Sequence, residues 1–204
     1  MLSMIGEKTG QTAAMPDADY LLAPTRGMLS CLVMLAGLIS AILYLRDERA
    51  GVHTWLSPKK KILIQATYYL SAMLPVLILV LPALYFSGLW TGVGHELMCA
   101  LLLLADGLLF VDVARLVVRD ERRLSVLLPI LFLGLVFFCP IFLNMKKLRI
   151  LHLLFPPFYY LHGIFNGRYL MRGLIYLAVM LAVDLLLRAG ENLLLGPRKK
   201  TLRG

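Results

Sequence analysis

Five stretches of the chain are long enough and apolar enough to cross a membrane as helices. A spanning α-helix needs roughly 20 mostly apolar residues, because the hydrocarbon core of a bilayer is about 30 Å thick. The chain has 204 residues and is 60% apolar, well above the roughly 45–50% of soluble domains. It therefore predicts an all-α, polytopic transmembrane helix bundle. The predicted spans are about 27–45, 62–86, 97–118, 124–143 and 172–189.

The parts of the chain outside these spans are polar, and many of them are basic. Residues 1–26 predict a polar N-terminal tail, residues 27–190 a transmembrane domain, and residues 191–204 a basic cytoplasmic tail. The net charge of +9 would indicate nucleic-acid binding in a soluble protein. Here the basic residues flank the spans, as they do in membrane proteins. We therefore expect a multi-pass protein of the cell membrane, typical of a bacterial cytoplasmic membrane, with no nucleic-acid partner.

The distribution of Lys and Arg predicts the orientation. Loop 46–61 holds five of them, loop 119–123 holds three, and loop 87–96 holds none. Because cytoplasmic loops are enriched in Lys and Arg, the N-terminus is expected outside and the C-terminus inside. Segment 144–171 does not follow this rule. The arrangement places it outside, but it carries four basic residues.

Segment 144–171 predicts a broken helix on the outer side. Its apolar core, residues 150–165, is too short to cross, and Pro156 and Pro157 interrupt it. We expect two short re-entrant or interfacial helices hinged at these prolines, with Tyr159 and Tyr160 at the headgroup level. An amphipathic surface loop without a function is the alternative.

Charged residues inside the spans are candidates for function, because a charge in hydrocarbon costs at least roughly 2.5–3.5 kcal/mol. Asp112 and Arg115 are spaced i,i+3, and Asp184 and Arg188 are spaced i,i+4, so each pair shares one helix face. The pairs predict structural clamps near the inner face. Asp106 lies deeper without an evident partner, and a proton or substrate relay is the functional alternative for it.

No motif predicts a metal, a haem or a nucleotide site in this chain. The three cysteines are scattered, which is typical of packing residues rather than of zinc ligands. None of the four histidines lies mid-membrane, as a pair of haem ligands would require. The stretch IGEKTG at 5–10 lacks the spacing of a phosphate-binding loop. We therefore predict no cofactor and no enzymatic activity.

The linker between the first two spans predicts a short amphipathic helix at 47–57. Its charged residues face water, and Pro58 ends the helix. A helix of this kind docks into a groove on a soluble partner. A simple membrane-surface turn is the alternative.

The order of these features resembles the membrane subunit of ABC-2 type exporters. The resemblance covers about 27–200 and rests on Glu48-Arg49-Ala50-Gly51 followed by Trp55-Leu56, and on the broken segment FPPFYY at 155–160. In that family the cytoplasmic linker is a coupling helix seated on an ATPase. The resemblance implies that this chain is an ABC transporter permease acting in export. The implied contact residues are Asp47, Glu48, Arg49, Gly51, Trp55 and Leu56.

The same resemblance implies two partners, a cytoplasmic ATPase that binds the ATP and a second permease copy or half. The family has six spans, and this sequence lacks the usual first one, as expected of the C-terminal part of a split or shortened permease. Two other functions stay open from the sequence. One is an integral membrane enzyme acting on lipids, and the other is a membrane assembly or anchor subunit without transport activity.

Overall fold

The computed structural model describes residues 17–86, 88, 90, 92–138 and 149–195. Within these ranges the chain forms helices and turns without any strand, which confirms the predicted all-α class. The helices are α1 (Asp17–Arg49), α2 (Pro58–Phe86), α3 (Val93–Val118), α4 (Glu121–Phe138), α5 (Arg149–His152), α6 (Pro156–Phe165) and α7 (Gly167–Leu195).

Four of these helices are long and apolar enough to cross a membrane. They are α1 over Thr25–Arg49, α2 over Lys59–Phe86, α3, and α7 over Gly167–Gly190. Helix α4 has 18 residues and opens with Glu121 and two arginines, so charges occupy its first turn. The fourth predicted span, 124–143, continues past Phe138 into residues outside the described ranges.

Two helix ends differ from the predicted boundaries. Helix α1 begins at Asp17, so part of the predicted tail 1–26 is helical, and α7 runs to Leu195, into the predicted tail 191–204. Hydropathy marks only the part of a helix that lies in hydrocarbon, and a helix can continue into water beyond it. The rest of both tails lies outside the described residues.

Helices α1, α3 and α7 run in one direction, and α2 and α4 run in the other. At one end of the bundle, Arg49 Nη2 lies 2.5 Å from Asp120 Oδ1, which joins the end of α1 to the α3–α4 connection. We call this the basic end (residues 46–61, 119–123 and Arg188). At the other end, Arg26 Nη2 lies 2.6 Å from Glu96 Oε1. We call this the opposite end (residues 25–27, 88–96 and 162–168).

Helices α5 and α6 enter the bundle without crossing it. The Phe155 ring packs 5.8 Å from the Phe110 ring, past the midpoint of α3. Eight residues later, the Gly163 carbonyl oxygen lies 3.0 Å from His95 Nε2, near the start of α3. Helix α6, whose ten residues rise about 15 Å, therefore returns along α3 to the opposite end, where α7 begins.

The break in this segment falls just before the prolines. Residues 153–155 separate α5 from α6, and Pro156 and Pro157 form the first turn of α6. A helix has no internal acceptor for the amides of its first turn, so proline is well tolerated there. The two prolines therefore start a helix, whereas the sequence predicted a hinge at them.

Small residues allow α1, α2 and α3 to approach closely. A Cβ added at Gly37 or at Gly107 would lie within 3 Å of the Met73 side chain. Close helix contacts through glycine are typical of membrane proteins, in which van der Waals packing stabilises the bundle. Cys31 and Cys99 are buried free thiols in the same core.

Candidate functional site

Both ion pairs expected from spacing are present, and the structure joins them into one polar network. Arg115 Nε donates to Asp112 Oδ1 at 3.0 Å, and Arg188 Nε donates to Asp184 Oδ2 at 2.9 Å. Arg188 Nη2 also contacts Asp112 Oδ2, and Gln65 Nε2 donates to Asp112 Oδ1. The network therefore links α2, α3 and α7 near the basic end.

This network balances its own charge. Two carboxylates face two guanidinium groups, and Asp112 lies at the centre, where it accepts from three different helices. The Arg115 guanidinium also lies 5.7 Å from the centre of the Tyr44 ring, which brings α1 into the contact. Buried charges are stable in a membrane protein when they are paired in this way. The geometry agrees with a structural clamp.

Asp106 stands apart from the network. Its side chain is 1% exposed, and neither carboxylate oxygen has a hydrogen-bond partner among the described residues. Tyr159 and Tyr176 lie within electrostatic range of it, but their hydroxyl groups bond elsewhere. A relay through Asp106 stays a prediction.

Those two tyrosines hold the break between α5 and α6, which we call the tip (residues 153–155). Tyr159 donates its hydroxyl to the Leu153 carbonyl at 2.9 Å, and Tyr176 donates to the Leu154 carbonyl at 2.9 Å. Carbonyls at a helix break inside a membrane need such partners, because hydrocarbon offers none. Tyr159 and Tyr160 are both buried in the bundle, and their expected place at the headgroup level stays a prediction.

A buried ion pair closes the opposite end. Arg26 Nη1 donates to Glu96 Oε2 at 2.9 Å, and Nη2 lies 2.6 Å from Oε1, so the contact is bidentate. Both side chains are 0% exposed, and Tyr160 interacts with Arg26. The sequence pattern did not reveal this pair, because Arg26 falls in the predicted tail and Glu96 in a predicted loop. The available signal was a charge of opposite sign near the start of two spans that begin at the same end.

The linker at the basic end is a turn, and the expected helix over 47–57 is absent. Helix α1 runs to Arg49, and residues 50–55 form turns. Gly51 adopts φ +82°, a left-handed conformation that ends the helix and that favours glycine. Its carbonyl accepts from the Thr54 amide at 3.2 Å. Leu56 closes the turn with a 3.3 Å bond from its amide to the His53 carbonyl.

Two side chains of this turn have opposite environments. His53 is buried and stacks on Tyr44 at 5.4 Å between ring centroids. It also meets the Tyr68 ring edge-on at 5.9 Å. Trp55, two residues later, is 79% exposed. Buried aromatic packing therefore fixes the turn, and the turn presents a large apolar side chain to its surroundings.

The three charged residues before the turn bind within the chain. Asp47 Oδ2 accepts from the Tyr68 hydroxyl at 2.6 Å, and Glu48 lies 3.5 Å from Lys61. The Arg49 guanidinium bonds to Asp120 at 2.5 Å and to Glu121 at 3.4 Å.

These contacts change the pKa of Asp120. Hydrogen bonds from the Arg49 guanidinium and from the Arg122 amide lower the pKa of Asp120 below its usual value. Asp47, Glu48 and Arg49 therefore connect the turn to α2 and to the α3–α4 connection, while part of each side chain stays exposed.

The sequence matches no protein-family model, no curated protein and no solved structure. Within the described ranges, no group of three His, Cys, Asp or Glu side chains is arranged to hold a metal ion.

Proposed function

We propose that this chain is the membrane permease subunit of an ABC-type exporter, as its resemblance to the ABC-2 type implies. In this proposal the chain does no covalent chemistry. A cytoplasmic ATPase binds and hydrolyses ATP, and a second permease copy or half completes the pathway. The bundle has five spans in the cell membrane, with the N-terminus outside, the basic end in the cytoplasm and the re-entrant segment entering from the outer side.

The observation that supports this proposal is the exposed Trp55 on a fixed turn at the basic end. The turn is tied to α2 through Asp47 and Tyr68, and to the α3–α4 connection through Arg49 and Asp120. A displacement of Trp55 would therefore act on several helices together. Exposed aromatic side chains on rigid supports are frequent anchors at protein interfaces.

The two tryptophans of the chain provide a matched test of the ATPase contact. Trp55→Ala should weaken the association with the ATPase, because truncation of an interface anchor commonly costs ~2 kcal/mol or more, roughly 30-fold in Kd. Trp90 lies at the opposite end, where its ring meets Tyr85 at 5.6 Å, so Trp90→Ala should leave the association unchanged. The measurement is co-purification of an ATP-hydrolysing subunit with each variant.

Gly51→Val tests whether ATPase association depends on the conformation of the turn at 50–56. A β-branched residue at φ +82° is strained, so the variant should displace Trp55 without touching any spanning helix. We expect normal membrane insertion and a loss of ATPase association. Normal association by both Trp55→Ala and Gly51→Val would contradict the coupling role of this turn. A chain that carries no ATPase in any variant would contradict the exporter proposal itself.

The orientation has its own test in a variant without native cysteines. Lys60 is exposed at the basic end, and Gly94 is exposed at the opposite end with no atom within 4 Å of an added Cβ. An impermeant thiol reagent applied from outside should label Gly94→Cys and spare Lys60→Cys. The reverse pattern would place the basic end outside and remove its access to a cytoplasmic ATPase.

A further inference from the structure

An apolar groove runs along the side of the bundle between α3, α4 and α7. Its volume is about 910 Å³, within the ~300–1,000 Å³ of typical ligand sites. Side chains of α3 from Phe110 to Val118 form one wall, and side chains of α7 from Arg172 to Val183 form another. Leu127 and Leu131 of α4 complete it, and Leu154 of the re-entrant tip lies at its base. We call it the lateral groove.

The lateral groove is open on one side at the depth of the spans. Val117, Ile175 and Val179 line it and are more than half exposed. Because α3 and α7 are both long and apolar enough to span a membrane, the open side faces hydrocarbon. The occupant must therefore reach the groove from the bilayer and must be apolar along most of its length.

The length of the groove matches one acyl chain. From Arg172 to Val183 the wall of α7 covers twelve residues, and the eleven steps between them rise about 16 Å at ~1.5 Å per residue. One leaflet contributes about half of the ~30 Å hydrocarbon core. A chain that starts at Arg172 therefore ends near Val183.

Among the described residues that line the groove, Arg172 alone is charged, and it lies at the end where a headgroup would be. Arg172 is in the second turn of α7, toward the opposite end of the bundle. Its guanidinium stacks on the Tyr169 ring at 4.7 Å. Among the described side chains, no carboxylate lies within ion-pair distance of it. A guanidinium in this position is complementary to a phosphate.

We propose that the lateral groove binds an acyl chain of an anionic phospholipid whose phosphate pairs with Arg172. The lipid enters from the leaflet at the opposite end of the bundle. The groove belongs to this chain alone, so the proposal does not depend on the exporter function or on an ATPase.

The test uses the full chain, purified in mild detergent and delipidated, with native mass spectrometry of added lipids. The probes are phosphatidylglycerol and phosphatidylcholine with identical acyl chains. We expect a preference for phosphatidylglycerol that Arg172→Gln reduces about fivefold, the effect of one basic residue near a membrane surface. Arg168→Gln is the matched control, because Arg168 is an exposed arginine one turn earlier on α7 that does not line the groove.

A second pair of variants tests the groove itself. Val179→Trp should fill it and reduce the binding of both lipids, while Leu186→Trp, an exposed position of α7 away from the groove, should not. Both positions are exposed, so both variants should keep the helical content of the parent chain. Equal effects of the two arginine variants, equal binding of the two lipids, or no effect of Val179→Trp would overturn the proposal. A dimer that Val179→Trp disrupts, without lipid adducts on the parent chain, would show that a second copy covers the groove.

Discussion

Each end of the bundle has an ion pair that involves α1, but one pair is buried and the other is exposed. At the opposite end, Arg26 and Glu96 form an ion pair with both side chains 0% exposed. At the basic end, Arg49 and Asp120 form an ion pair with side chains 51% and 34% exposed. Each pair joins α1 to another part of the chain nearly the same distance away in sequence. The pairs therefore differ in environment much more than in chemistry.

Helix α6 accounts for the difference in exposure between the two ion pairs. Helix α6 packs against the opposite end, with Tyr160 beside Arg26 and Gly163 beside His95. In the described part of the chain, no comparable element covers the turn at 50–56 or the α3–α4 connection. The ion pair at the opposite end is therefore enclosed within the bundle, whereas the ion pair at the basic end is accessible to water or to a partner.

The largest expected effect comes from the buried pair. Glu96→Leu should destabilise the protein by about 3–5 kcal/mol, because it leaves the Arg26 guanidinium buried without its carboxylate. The measurement is unfolding in detergent by titration with a denaturing surfactant. Arg49→Gln at the basic end should have a much smaller effect, since water solvates the groups that it leaves behind.

The double variant Arg26→Met/Glu96→Leu serves as the control for this comparison. Replacement of a buried ion pair by apolar residues of similar size is often neutral or stabilising. We therefore expect the double variant to recover most of the stability lost by Glu96→Leu. Equal losses in the single and double variants would show that the unpaired Arg26 guanidinium is not the cause of the loss.

An intermediate loss of stability is expected when a glycine of α7 is replaced by a larger residue. A Cβ at Gly173 would lie 2.5 Å from Leu102 Cδ2, and 3.6 Å from Tyr159 Cβ on the re-entrant segment. Gly173→Leu should therefore cost about 1–3 kcal/mol through overpacking. Gly190, near the basic end, has no such neighbour within 4 Å, so Gly190→Leu should be close to neutral. Similar losses at both positions, in the same unfolding measurement, would show that α7 packs equally tightly along its length.

The smallest expected effect is a change with pH in the stability that the Arg49–Asp120 ion pair contributes at the basic end. The pKa of Asp120 is lowered by Arg49, so the pair contributes stability above the unfolded pKa of about 3.9 and loses it as the pH falls through the folded pKa. The difference in thermal stability between the parent chain and Arg49→Gln should shrink between pH ~7 and pH ~3 as the carboxylates protonate. A difference independent of pH would exclude an ionic contribution.

The sequence predicted the helical class and the pairing of nearby charges. Membrane length and hydropathy are properties of single segments, so α1, α2, α3 and α7 are recognisable before any packing is known. Asp112 with Arg115, and Asp184 with Arg188, follow from helical spacing alone. The break before α6 follows from two adjacent prolines.

Contacts between distant segments were beyond the reach of these patterns. The pairing of Arg26 with Glu96 depends on which helices are neighbours, and neither residue lies near the other in sequence. The pattern of the linker also gave no sign that two tyrosines from α1 and α2 bury His53. The predicted helix over 47–57 failed because Gly51 adopts a left-handed conformation, which a helical pattern does not reveal.

The tyrosine contacts at the re-entrant tip have a consequence for the order of assembly during synthesis. The Leu154 carbonyl is satisfied by Tyr176, which lies on the helix made after the tip. Until α7 is in the membrane, this carbonyl has to keep a water molecule or stay out of the hydrocarbon. The segment from α5 to α6 therefore reaches its final position late, when the ribosome has already made α7. Insertion of the spanning helices and burial of the tip are then separate events in the biogenesis of the protein.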